Sequence, residues 1–141
     1  MNSAIERLLS LRVADFMRRD VSTVTADLTM PEAANGLLRS KVSGVPVVDV
    51  REHCVGVLSA VDFVRREVES PAADRNGGDK VRTYMSSSVH YVESDVTLID
   101  AARAMCRNHV HRLPVLDPSG RVVGLISSLD LVAAMVHAVE E

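Results

Sequence analysis

The chain has 141 residues, 47% hydrophobic and 25% charged, with a net charge of −3, which is about one folded domain's worth of chain and excludes a disordered one. An acidic balance with four aromatics (Phe16, Phe63, Tyr84, Tyr91) argues against a nucleic-acid surface, which needs a basic face and stacking rings. No apolar run approaches the roughly 20 residues that span a membrane, and Cys54 and Cys106 make neither a disulfide framework nor a zinc spacing. The expected location is cytoplasmic, and the chain is too short to carry both a regulator and the enzyme it regulates. In chain order, residues 1–12 form an N-terminal helical segment, with Glu6, Arg7 and Arg12 among its leucines, unlike a signal peptide. A first unit, 13–69, opens with a β-rich piece over 21–25. Thr29 then caps a helix, with Pro31 in its first turn and Glu32 as capping-box partner, running to about Lys41. Strands follow over 45–50 and 54–58, and a closing helix starts at Ser59. Residues 70–80, SPAADRNGGDK, are a linker. The second unit, 81–139, repeats the order: a β-rich piece over 89–93, a helix capped by Thr97 with Asp100 and ending near Asn108, strands over 113–117 and 122–126, and a closing helix from Ser127. The turn Asp117-Pro118-Ser119-Gly120 has type I chemistry.

The two units are copies. Residues 13–64 align on 81–132 at a constant offset of 68, and 18 of the 52 pairs are identical, where composition would give roughly four. Asp27-x-Thr29 matches Asp95-x-Thr97. Pro46-Val47-x-Asp49 matches Pro114-Val115-x-Asp117. Val55-Gly56-x-x-Ser59-x-x-Asp62 matches Val123-Gly124-x-x-Ser127-x-x-Asp130. The predicted fold is therefore α/β (α+β): a tandem repeat of two β-α-β-β-α units related by a pseudo-twofold axis, after a short N-terminal helix. One such unit alone would be marginal, since about 60 residues bury only about 60% of their surface. Any cleft at that axis appears twice. The repeat also weighs the cysteines. Cys54 aligns with Val122 and Cys106 with Leu38, so both read as core.

Ser59-x-x-Asp62 and Ser127-x-x-Asp130 carry two readings. Each is an N-cap serine with an acidic residue in the first turn. Alternatively, the carboxylate accepts both hydroxyls of a ribose, while the serine and the free helix N–H groups face a phosphate. Gly56 and Gly124 lie inside strands and mark either a bulge or a close approach. His111-Arg112 stands where the first copy has Ser43-Gly44, so the fold does not demand this basic pair; it is a solvated loop or a phosphate clamp. His109-x-His111 and His90 lack a carboxylate or thiolate at a recognisable spacing, so no metal is expected. No nucleophile–base pair or carboxylate pair stands out, and no catalytic residue is assigned. The last helix, Leu129 to Val139, is apolar nearly all round and must be covered on more than one face, by a symmetry mate or by residues 5–11.

In these features the chain resembles the cystathionine-beta-synthase (CBS) domain family, as one CBS pair or Bateman module. The resemblance rests on the Val-x-x-aromatic-Met lead-in (Val13 to Met17; Val81 to Met85), the Asp-x-Thr helix start, Ser43-Gly44-Val45-Pro46-Val47-Val48-Asp49, and the Gly-x-x-Ser-x-x-Asp close. It covers residues 13 to about 138. It implies two units packed sheet to sheet, a homodimer shaped as a flat disc, and a regulatory module; the lack of a nucleophile–base or carboxylate pair separately makes an enzyme unexpected. No cofactor is required; AMP, ADP, ATP or S-adenosylmethionine are the implied ligands. His111-Arg112-Leu113-Pro114 is similar to a sequence in the gamma subunit of AMP-activated protein kinase that holds nucleotide phosphates. By that resemblance one site combines Ser59, Asp62, Val89, His90, His111 and Arg112. The other combines Met17, Ser22, Val42, Ser43, Ser127 and Asp130. Val61 and Leu129 stand before the aspartates where that subunit often has a hydroxyl. The expected function is to sense an adenine nucleotide and modulate a separate effector protein, with the stronger AMP site built on Asp62, His111 and Arg112. The alternative is a ligand-free dimerisation or docking module. Neither nucleic acid nor membrane is an expected partner.

Overall fold

In the computed structural model the described residues are 3–70 and 79–140, so most of the predicted linker lies outside them. The chain is mixed α and β. Its elements are α1 Ser3–Ser10, α2 Val13–Phe16, β1 Val24–Thr25, α3 Met30–Ser40, β2 Gly44–Val48, β3 Cys54–Ser59, α4 Ala60–Glu69, α5 Val81–Tyr84, α6 Leu98–Asn108, β4 Arg112–Leu116, β5 Val122–Ser127 and α7 Ser128–Glu140. Strand β2 pairs parallel to β1 and antiparallel to β3, and β4 pairs antiparallel to β5.

The helix starts form as their sequence predicts. Thr29 Oγ1 accepts the Glu32 N–H at 3.3 Å, and Glu32 returns its carboxylate to the Thr29 N–H at 3.1 Å. Thr97 accepts the Asp100 N–H at 3.1 Å. Helices α3 and α6 end on left-handed residues, Lys41 (φ 56°) and His109 (φ 53°). The Val42 and Val110 N–H groups then close on Leu37 and Met105 carbonyls, a Schellman-type ending. His109 is thus a helix terminator. The β-rich lead pieces are shorter than predicted. The first keeps only Val24–Thr25, and the second only a parallel bridge between Val92 and Val115. In each, a single valine (Val24, Val92) packs against the core while most of its neighbours face solvent, so little holds more of the piece to the sheet.

The chain divides into two compact units, residues 22–89 and residues 1–21 with 90–141. Each unit takes the body of one repeat and the lead-in of the other. In the first, Val24, Met30, Ala33, Leu37, Val45, Val47 and Leu58 enclose Val81 and Tyr84 of α5. In the second, Leu98, Ala101, Met105, Leu113, Val115, Ile126 and Ala134 enclose Val13 and Met17. The two glycines inside strands are where the lead-ins arrive. The Ser86 and Val57 backbones exchange bonds of 2.9 and 3.0 Å, and Arg18 and Leu125 exchange bonds of 2.8 and 2.9 Å. A Cβ on Gly56 would stand 2.6 Å from Met85 Sδ and 2.8 Å from the Ser86 carbonyl oxygen. On Gly124 it would meet Met17 Sδ at 2.6 Å and the Arg18 oxygen at 3.0 Å. A register shift also flanks each glycine, between Val47 and Val48 and between Val115 and Leu116. Both readings of these glycines therefore hold, and the close approach is what forbids a side chain.

One expectation is corrected. Cys106 is exposed and Cys54 only half-buried, so neither is core. Leu38, the counterpart of Cys106, is itself 76% exposed, because this position faces outward from α3 and α6; an apolar residue there did not imply burial. Helix α7 is buried along Ala134 and Ala138 alone. Helix α1 covers that side, with Leu8 and Leu11 on the core and Arg7 Nε donating to the Ala138 carbonyl at 3.0 Å. Leu129, Val132, Met135, Val136 and Val139 stay exposed.

Candidate ligand-binding site

Each Ser-x-x-Asp sits where a strand turns into a helix. The Ser59 N–H donates to Asp62 Oδ2 at 2.8 Å, and the Ser127 N–H to Asp130 Oδ2 at 2.8 Å. Ser127 Oγ bonds the same oxygen at 2.9 Å, whereas Ser59 Oγ is 3.4 Å away. The backbone amide that follows each serine is held by the residue just before the neighbouring strand. Ala60 N–H donates to the Ser43 carbonyl at 2.9 Å, and Ser128 N–H to the His111 carbonyl at 2.8 Å. The positions that diverge in charge thus do the same backbone work in both copies, which leaves their side chains free to differ.

The environments of the two carboxylates differ. Asp62 is the buried charged residue of the described core, 4% exposed. Its Oδ1 takes the Arg65 guanidinium, which also donates to the Tyr84 carbonyl at 3.2 Å. Asp130 is half-buried, and Ala133 occupies the place of Arg65. Arg65 and Tyr84 were missed by motif reading. The signal available was the helical spacing from Asp62 to Arg65 and the loss of that arginine in the second copy.

The remaining predicted residues divide between the units. The unit 22–89 holds Ser59, Asp62 and half-buried Val89 with Ser22, Val42 and Ser43; Ser22 Oγ donates to Ser40 Oγ at 3.1 Å, and Val42 packs on the core. The other unit holds exposed His90 and His111, half-buried Arg112, and Met17, Ser127 and Asp130. Met17 is buried against Gly124. In the β4–β5 ladder Arg112 lies directly across from Ser127, as Gly44 lies across from Ser59. Within one unit, then, a guanidinium-bearing residue and the Ser127–Asp130 pair share one end of one hairpin. Among the described residues no cluster of histidine, cysteine and carboxylate side chains could hold a metal ion, and no helix is long and apolar enough to cross a membrane.

A sequence profile of the CBS domain matches residues 13–69 and again 81–137. The chain belongs to the CBS domain family. Two tandem CBS units account for its doubled pattern. CBSX2 of Arabidopsis thaliana, solved in complex with AMP, superposes with a TM-score of 0.82 at 28% identity over 93% of this chain and 99% of that one. The CBS-domain protein ATU1752 of Agrobacterium tumefaciens superposes at 0.75 with 28% identity, over 89% and 94% of the two chains. The inosine-5'-monophosphate dehydrogenase of Methanocaldococcus jannaschii is 33% identical over 80% of this chain. This chain spans about a fifth, 21%, of that enzyme's length.

Proposed function

We propose that this CBS pair is a cytoplasmic regulatory module, not an enzyme, that binds an adenine nucleotide and modulates a separate effector protein. The observation that carries the reading is the carboxylate held at the start of a closing helix in both units, with a serine beside it. A carboxylate there can accept the two hydroxyls of a ribose, and the adjoining helix start suits a phosphate. The AMP bound by CBSX2 supports the same ligand class here. The proposed sites are the two sets expected from the sequence, Ser59, Asp62, Val89, His90, His111 and Arg112, and Met17, Ser22, Val42, Ser43, Ser127 and Asp130. The planar guanidinium fork of an arginine such as Arg112 matches phosphate oxygens. AMP, ADP, ATP and S-adenosylmethionine are the ligands to compare. A ligand at 100 times its dissociation constant stabilises the fold by about 2.7 kcal/mol, a melting shift of roughly 5–10 °C at this size. Flat melting curves across all four at millimolar concentration defeat the nucleotide reading.

A second reading, a homodimerising module, is favoured by a separate observation. Val61, Val64 and Val68 are 64–76% exposed along one face of α4. Leu129, Val132 and Val136 occupy the same positions on α7 and are 49–66% exposed. Surface valines and leucines at helical spacing lose water contact when covered, and a self-complementary patch is what a twofold dimer requires. We infer a homodimer closed through these faces. Light scattering should give twice 15.3 kDa, and Val64→Glu with Val132→Glu should return the monomer. A wild-type mass of one chain at micromolar concentration ends the dimer reading.

A further inference from the structure

The two aspartates are equal in the sequence motif and unequal in the folded chain. A ribose diol brings two O–H donors and needs free lone pairs on the carboxylate. Asp62 has few to offer. Oδ2 is taken by the Ser59 N–H and Oδ1 by Arg65, and the side chain is 6% exposed. Arg65 is anchored a second time on the Tyr84 carbonyl. Among the described residues Asp130 keeps Oδ1 free of protein donors and of any cation, because Ala133 replaces Arg65.

We propose that Arg65 is a specificity-determining residue that masks the ribose acceptor of the first repeat, so that Asp130 is the open acceptor of the resting chain. This rests on the nucleotide-binding reading above and reverses the ranking that the basic pair His111-Arg112 alone would imply. Masking by an ion pair is reversible. The Arg65 side chain is 43% exposed, and it lines an open groove of about 490 Å³ with Thr83, Tyr84 and Ser86, so the guanidinium has room to leave Asp62. A ribose at Asp62 must compete with a charge-assisted hydrogen bond, which is among the stronger ones in proteins. Removing Arg65 should therefore strengthen binding, the opposite of what loss of a ligand contact or of a structural contact does.

Adenosine is the probe, because it has the ribose and lacks a phosphate that could itself attract Arg65. Titration calorimetry is run on the wild type, Arg65→Met, Asp130→Ala and the double variant; methionine keeps the apolar stem of Arg65 and removes its charge. The wild type should bind one adenosine per chain, and Asp130→Ala should abolish this. Arg65→Met should bind a second, at least about tenfold tighter than any weak second site of the wild type. The double variant should keep one. Thermal unfolding of each variant confirms that it is folded before titration. Two equal sites in the wild type, or no gain in Arg65→Met, overturns the masking while nucleotide binding stands. Absence of adenosine, AMP and ATP binding in the wild type and in Arg65→Met overturns both.

Discussion

The two compact units are built on one pattern and finished differently. Their buried positions correspond at the offset of 68 almost throughout: Met30 with Leu98, Ala33 with Ala101, Val45 with Leu113, Val47 with Val115, Leu58 with Ile126. The closing helices diverge. Helix α4 carries Arg65 on Asp62 and Arg66 on Asp79, the latter through two bonds of 2.6 and 2.7 Å. Helix α7 has Ala133 and Ala134 at those positions, and Ala134 is fully buried beside α1. Covering one side of α7 with α1 buries Ala134, the counterpart of Arg66, whereas Ala133, the counterpart of Arg65, is exposed. Asp130 lacks a guanidinium partner simply because residue 133 is alanine. The difference in packing and the difference in ligand chemistry therefore fall on neighbouring positions of the same helix, and a duplicated module can offer two unequal sites.

Paired substitutions sharpen this comparison, and the largest effect is expected at the glycines. Gly56→Ala drives a methyl group against the Ser86 carbonyl at 2.8 Å, a backbone atom that cannot rotate away. Overpacking of this kind costs about 1–3 kcal/mol, and the looser 3.0 Å approach at Gly124 should place Gly124→Ala lower in that range. Urea midpoints measured side by side decide the order; negligible losses would mean that the lead-ins do not pack on these strands, and equal losses that the two approaches are equally tight. Next comes the carboxylate pair. Asp62→Asn keeps the bond from the Ser59 N–H and loses the ion pair, which should cost about 1–2 kcal/mol after allowing for the half-exposed guanidinium. Asp130→Asn loses no ion pair and can keep the bond from the Ser127 N–H, so it should cost less, about 0.5–1 kcal/mol. Comparable losses in the two variants would contradict the unequal environments.

The smallest effect separates the two helix caps. Thr29→Ala and Thr97→Ala each remove one cap, typically worth about 1 kcal/mol. The first also removes the bond that the Thr29 hydroxyl donates to the Glu32 carboxylate at 2.7 Å. The Thr29 hydroxyl and N–H hold the Glu32 carboxyl below its ordinary range, while Asp100 instead bonds Arg103 at 3.3 Å. A carboxylate whose folded value is depressed contributes stability above its unfolded value and loses it as pH falls through the folded one. The difference between wild type and Thr29→Ala should therefore be full at neutral pH and shrink in acid, below about pH 4. The Glu32-linked part of that difference is absent from the second cap. Denaturant curves at pH 7 and pH 3 check it, and a Thr29→Ala penalty independent of pH would show that Glu32 does not take part.

Much of the module was legible from residues alone because its signals are local. Thr29 with Glu32, Thr97 with Asp100, and Asp117 with Gly120 each act within three or four residues. The short valine-rich strands are bounded by turn residues on the same short range. The offset of 68 then required two copies of one unit, which the CBS domain match confirms. Even the misreading of Cys106 has a local cause. Repeat comparison shows that two positions share a place on the helix, and it does not show whether that place faces the core.

What the sequence alone determined is the inventory: two β-α-β-β-α patterns, their caps and turns, and the Ser-x-x-Asp motifs. Tertiary structure decided which parts belong together. Only the fold shows that the lead-in of each repeat completes the core of the other, because the contact of Gly56 with Met85 and Ser86 joins residues about thirty positions apart, and that of Gly124 with Met17 and Arg18 more than a hundred. Only the fold distinguishes Asp62 from Asp130. The motif names the same carboxylate twice, but its availability depends on what fills the space around it. Around Asp62 that space is taken by Arg65, itself held on the Tyr84 carbonyl, and beside Asp130 the matching residue is the exposed Ala133.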